Sequence, residues 1–128
     1  MSQLASPAHP ILLLALLLAL PVCGAGPAAA HAIVVTSEPT AGATLAAAPA
    51  QVSIRFNSRL DHERSRLLLI GADNAQTALA IAAEGDPVVL AAPLPPGLAP
   101  GAWRLRWQVL AIDGHITRGD IPFTLKAP

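Results

Sequence analysis

Asp113-Gly114-His115 sets a carboxylate and an imidazole one glycine apart, a spacing that lets both side chains leave a tight loop toward the same point. A second donor group lies far upstream. His31 directly follows Ala28-Ala29-Ala30, an A-x-A pattern of the kind signal peptidase cleaves after. A chain beginning at His31 carries an α-amine and an imidazole on one residue, two nitrogens able to close a chelate ring on one metal ion. An α-amine gives up its proton at about pH 8, so a metal can displace that proton at neutral pH. Two nitrogens from His31, one from His115 and an oxygen from Asp113 make an N₃O set. Such a set suits tetragonal Cu(II) and lacks the soft sulfur that Cu(I) prefers. Each signal also has an ordinary reading: a terminal His is a common accident of cleavage, and Asp-Gly is a common turn dipeptide. Spacing alone leaves both readings open.

The amino-terminal stretch decides whether that chelate exists. Residues 11–20 read ILLLALLLAL, an apolar run bounded by Pro21 and too short to span a bilayer, which takes roughly 20 residues. Residues 1–10 contain no Lys or Arg, so the positive character of a leader rests on the amino terminus. The expectation is a signal peptide over residues 1–30, cleaved after Ala30, and a mature domain over 31–128 exported to the periplasm. Ala30-His31-Ala32 is a competing cleavage pattern that would start the chain at Ile33. Leu20-Pro21-Val22-Cys23 resembles a lipoprotein box, with Val22 where that box wants a small residue. Cleavage after Ala30 removes Met1 and Cys23, the only Met and the only Cys in the 128 residues.

The elements that must position these donors read as short strands. Thirteen Pro and nine Gly disfavour long helices. Eight basic and eight acidic residues leave no net charge, which removes the basic footprint of a nucleic-acid binder and predicts no strong steering field. Ile33-Val34-Val35 is a β-branched run followed by turn residues. Val52, Ile54 and Phe56 alternate with polar neighbours, the period-2 mark of a half-buried strand. Residues 67–70, 79–81 and 88–90 are further short apolar runs, the Ala-rich part near Ala78 being equally compatible with helix. Trp103, Leu105, Trp107 and Val109 alternate with Arg104, Arg106 and Gln108, and Ile121, Phe123 and Leu125 repeat the pattern at the end. Pro122 marks that last strand as having a free edge or an irregular start. About seven strands in some hundred residues is the profile of an all-β, immunoglobulin-like sandwich.

Other motifs carry less. Arg118-Gly119-Asp120 spells an integrin-binding tripeptide, expected here to sit where a loop enters the last strand. The segment from Arg59 to Arg66 reads as a solvated loop whose charges cancel, with His62 in solvent. Trp103 and Trp107 read as core. No Gly-rich phosphate loop or G-x-S-x-G elbow occurs.

Taken in order, several of these residues resemble the CopC family of copper-resistance proteins. His31-Ala32, Ser37-Glu38-Pro39, Gly42-Ala43-Thr44, Pro49 and Val52-x-Ile54-x-Phe56 are similar to that family's first half. Leu98-x-Pro100-Gly101-x-Trp103-x-Leu105-x-Trp107, Asp113-Gly114-His115 and Gly119-x-x-x-Phe123 are similar to its second. The resemblance implies a Greek-key barrel or sandwich, one Cu(II) per chain with His31, Asp113 and His115 as ligands, and a CopD-type partner in the inner membrane. Departures from the pattern are Ile33 where many members have a second His, Asn57-Ser58 where an acidic residue often stands, Ile116 in place of Pro, and no Met-rich Cu(I) site.

The resulting expectation is a non-catalytic, monomeric periplasmic protein that sequesters Cu(II) or hands it on, with no nucleic-acid partner. Two other readings compete. A terminal His sharing copper with a second His is also the brace of polysaccharide-attacking copper monooxygenases, although Asp113 would take a position that oxygen chemistry needs. A metal-free immunoglobulin-like interaction module is the third.

Overall fold

Val52 and Ile54 are fully buried and Phe56 nearly so, while Gln51 and Arg55 at alternate positions face solvent and Ser53 is half-buried. The alternation is that of a strand with one face on a core. A computed structural model describes residues 31–128, and those residues contain strands and no helix. In chain order the strands are β1 (Val34–Glu38), β2 (Ala43–Leu45), β3 (Gln51–Phe56), β4 (Leu60–Gly71), β5 (Gln76–Ala78), β6 (Val89–Pro93), β7 (Gly101–Ala111) and β8 (Ile116–Leu125). They form a three-stranded sheet in the order β1-β3-β6 and a five-stranded sheet in the order β2-β8-β7-β4-β5. The chain passes repeatedly between the sheets, and all pairings are antiparallel except β2 on β8. The result is an all-β, immunoglobulin-like Greek-key sandwich of eight strands rather than about seven. The proposed signal peptide lies outside the described residues.

The inner faces meet in a core of Val52, Ile54, Phe56, Leu67, Leu69, Leu90, Leu105, Trp107, Val109, Ile121 and Phe123. Phe56 and Trp107 join the two sheets edge-to-face, with ring centroids 5.1 Å apart. Trp107 is core as expected, whereas Trp103 is only half-buried and donates its indole N–H to the Ala99 carbonyl at 2.9 Å.

Four sequence expectations change. The segment from Arg59 to Arg66 is not a loop: β4 begins at Leu60 and runs through a bulge between Asp61 and Arg66. Ser65 closes that bulge from the inside, donating its hydroxyl to the Asp61 carbonyl (2.7 Å) and accepting from the Leu110 N–H (3.2 Å). An unpaired stretch of strand lets the charges turn outward, which is why its composition reads as loop. The run at 79–81 is irregular, and the strand there lies earlier, at β5. Arg118-Gly119-Asp120 lies inside β8, where Gly119 sits under the Trp107 indole: a Cβ there would fall 2.5 Å from Cζ2. Pro122 does not mark a free edge, because β8 lies between β2 and β7; its carbonyl, and hence its missing N–H, points away from β7 toward Gly42, whose N–H it accepts at 2.7 Å, so the proline costs no bond to β7.

Candidate metal centre

The β7–β8 hairpin closes over Ile112, Asp113, Gly114 and His115. Ala111 N–H donates to the His115 carbonyl and Gly114 N–H to the Ala111 carbonyl, both at 2.9 Å. Gly114 has φ of 92°, a conformation that needs glycine. This turn aims Asp113 back at the residue two ahead. One carboxylate oxygen accepts the His115 backbone N–H at 3.1 Å, and the other contacts His115 Nδ1 at 3.1 Å. A proton on Nδ1 would suit that carboxylate and would leave Nε2 as the nitrogen with a lone pair for a metal.

The start of the domain is held against the same hairpin by several contacts. Ala32 is buried, and its carbonyl accepts from the Thr117 hydroxyl on β8 at 3.1 Å. Ile33 and Asn57 exchange two hydrogen bonds: the Ile33 N–H to the Asn57 carboxamide oxygen at 2.8 Å, and the Asn57 N–H to the Ile33 carbonyl at 3.0 Å. Ile112 N–H donates to the Arg59 carbonyl at 2.9 Å, tying the hairpin to the β3–β4 connection. His31 and His115 thereby meet with ring centroids 5.5 Å apart at 69°. An ion about 2 Å from a ring nitrogen lies about 3 Å from the ring centre, so two imidazoles on one ion have centroids roughly 4.5–6.5 Å apart. The observed separation falls inside that span.

All three sequence candidates therefore lie at one end of the sandwich, but not as a finished cage. Among the described residues no three His, Cys, Asp or Glu side chains converge as a ready-made metal cluster. Asp113 contacts His115 through both carboxylate oxygens. His115 is about half exposed, so the end is open to solvent. Sequence reasoning missed Asn57 and Thr117, which position His31. Their only signal is a polar residue at the end of a strand and another at a strand start. His62 is not solvated: it is half-buried, with Nε2 donating to the Val89 carbonyl at 2.7 Å, and takes no part in this end. Three large apolar side chains rim the site in the open: Ile33, Ile112 and Ile116, at 60%, 70% and 53% exposure.

Fold and geometry together define a small β-sandwich whose open end gathers imidazoles from its first residues and its last hairpin. This chain belongs to the CopC family: the CopC domain matches residues 34–126, a span that includes Asp113 and His115 and begins just after His31. Protein YobA of Escherichia coli strain K12 is 32% identical over 99 residues, covering 76% of this chain and 80% of that protein. The copper transport protein CutJ of Bacillus subtilis is 29% identical over 98 residues, covering 75% of this chain but 18% of that protein. Among solved structures, CopC from Methylosinus trichosporium OB3b matches with a TM-score of 0.67 and 27% identity, over 75% of this chain and 94% of that one. PcoC, a methionine-rich copper resistance protein from Escherichia coli, matches with a TM-score of 0.62 and 26% identity, over 76% of this chain and all of that one.

Proposed function

We propose that this chain is a monomeric, non-catalytic Cu(II)-binding protein of the periplasm that sequesters copper or delivers it to a CopD-like partner in the inner membrane. The observation that carries the reading is the meeting of His31 and His115, remote in sequence, at a centroid separation that one metal ion can bridge. Family membership supplies copper as the cargo. Cleavage after Ala30 adds the α-amine of His31, giving one tetragonal Cu(II) held by amine, two imidazoles and Asp113. Asp113 contributes through an oxygen on the metal, through its hold on His115 Nδ1, or through both. The open end and its isoleucine rim support exchange with a partner, since an exposed apolar patch beside a site marks where another surface covers it.

The test is titration of the mature protein with Cu(II), read by electron paramagnetic resonance, together with intact-mass analysis of its terminus. One equivalent with an N₃O tetragonal spectrum, weakened in His31→Ala and His115→Ala, supports the proposal. A terminus at Ile33, or a spectrum unchanged in both variants, overturns it. Copper-dependent oxidation of an oligosaccharide with peroxide would instead favour the monooxygenase reading.

A further inference from the structure

The charges that cancel along the sequence do not cancel across the fold. On the outer face of the five-stranded sheet, β4 presents Arg66 and Leu68, β7 presents Arg104, Arg106 and Gln108, and β8 presents Arg118 and Asp120. Register sets them in rows: Arg66 opposite Gln108 and Gln108 opposite Arg118, then Leu68 opposite Arg106 and Arg106 opposite Asp120. Four guanidiniums share this face with Asp120, and Asp61, opposite Leu110 at the far end, is neutralised by Arg64 at 2.7 Å, which leaves an excess of three positive charges. Asp120 is taken up by Arg106, in two hydrogen bonds of 2.9 and 3.0 Å, and by Arg104 at 3.5 Å. Arg118 rests on the Gln108 carboxamide at 2.7 Å, and among the described residues neither Arg118 nor Arg66 has an acidic partner. The other seven acidic residues lie at strand ends, in connections or in the β4 bulge. On the opposite sheet Arg55 is neutralised by Asp86 at 2.9 Å.

We propose that this arginine face docks the protein on anionic phospholipid headgroups. Arg104 and Arg106 stand about 7 Å apart along β7, and Arg66 and Arg118 lie two strands, about 10 Å, apart across Gln108, so the guanidiniums are spread over three strands rather than gathered on one point. Such an array matches a plane of many phosphates rather than one bound anion, and guanidinium is the cation best shaped for phosphate oxygens. β7 and β8 lie in the plane of that face. The docked protein therefore points its His115 end along the membrane, toward a membrane-embedded neighbour, and not into the lipid.

The experiment is flotation of the mature, metal-free protein with vesicles of phosphatidylcholine alone or with about one third phosphatidylglycerol, at about 50 mM and about 500 mM salt. Binding is expected only with phosphatidylglycerol and only at low salt. Each net charge near an anionic surface is worth about fivefold in partitioning, so Arg66→Gln with Arg118→Gln should lower binding roughly 25-fold, while Arg55→Gln leaves it unchanged. Circular dichroism of each variant confirms the fold. Absence of low-salt binding, or equal loss in Arg55→Gln, overturns the proposal and leaves an acidic protein as the occupant to seek. Displacement by inorganic phosphate at matched ionic strength also overturns it, because the face would then hold single phosphates.

Discussion

Replacing Asp113 by Asn tests how the carboxylate serves the site with almost no change of shape. In the native hairpin one oxygen accepts the His115 backbone N–H and the other lies against His115 Nδ1, each at 3.1 Å. A carboxamide has one acceptor. With a metal on Nε2 the ring proton sits on Nδ1, so in Asp113→Asn either the backbone N–H or Nδ1–H must face the carboxamide NH₂, and His115 loses either its turn or its ring orientation. Groups that orient a ligating His typically contribute 10- to 100-fold to metal affinity. The expected loss of Cu(II) affinity is therefore about 10- to 100-fold with the spectrum kept if Asp113 only orients, and more than about 100-fold with a changed spectrum if it also ligates. Competition against a chelator of known affinity gives the magnitude, and electron paramagnetic resonance gives the donor set. A variant within about twofold of wild type would refute the account of the hairpin, because neither contact would then matter to the metal.

Four more outcomes follow from particular contacts. One Gly added before His31 converts its amine to an amide and should collapse Cu(II) affinity with the circular dichroism spectrum intact; unchanged affinity would exclude the amine as a donor. His62→Ala should leave Cu(II) affinity unchanged but strand the Val89 carbonyl, costing about 1 kcal/mol and lowering Tm by about 4–8 °C. Gly119→Ala forces a methyl to 2.5 Å from the Trp107 indole, where contact needs about 3.5 Å; destabilisation of about 1–3 kcal/mol and altered Trp fluorescence are expected, and a wild-type Tm would mean the strand yields freely. Arg106 holds the Asp120 carboxyl below its ordinary 3.8, so the stabilisation is present above that value and lost as pH falls through the lower folded value. Acid titration of stability should therefore show the gap between wild type and Asp120→Asn closing below about pH 4, and a gap that persists in acid would show the pair contributes by packing alone.

Legibility of this fold tracks how directly a residue's neighbours in sequence are its neighbours in space. β7 and β3 are plain in the sequence because each strand carries its own in-out alternation. β4 is hidden, since its bulge spends several charged residues on solvent and is closed by a single Ser65 whose partners lie at Asp61 and Leu110. β2 rests on parallel pairing with β8, which no local pattern announces. The Asp113-Gly114-His115 turn is local and was readable, whereas Asn57 and Thr117 act on residues far from themselves in the chain.

The same distinction separates the donors from the cargo they suit. Composition shows that every sulfur in the chain, Met1 and Cys23, precedes residue 31, so a domain beginning at His31 has only nitrogen and oxygen to offer a metal. That makes it unlike a relative described as methionine-rich, despite a fold matched over the whole of that relative. With no soft site of its own, a chain of this kind has nowhere to pass copper internally after reduction. Under the proposed function Cu(II) must leave through the end at which it is held, and any change of oxidation state falls to whatever covers Ile33, Ile112 and Ile116. The exposure of those three side chains around His31 and His115 is then a requirement of transfer: donors of the acceptor must reach a site that the domain's own core leaves uncovered.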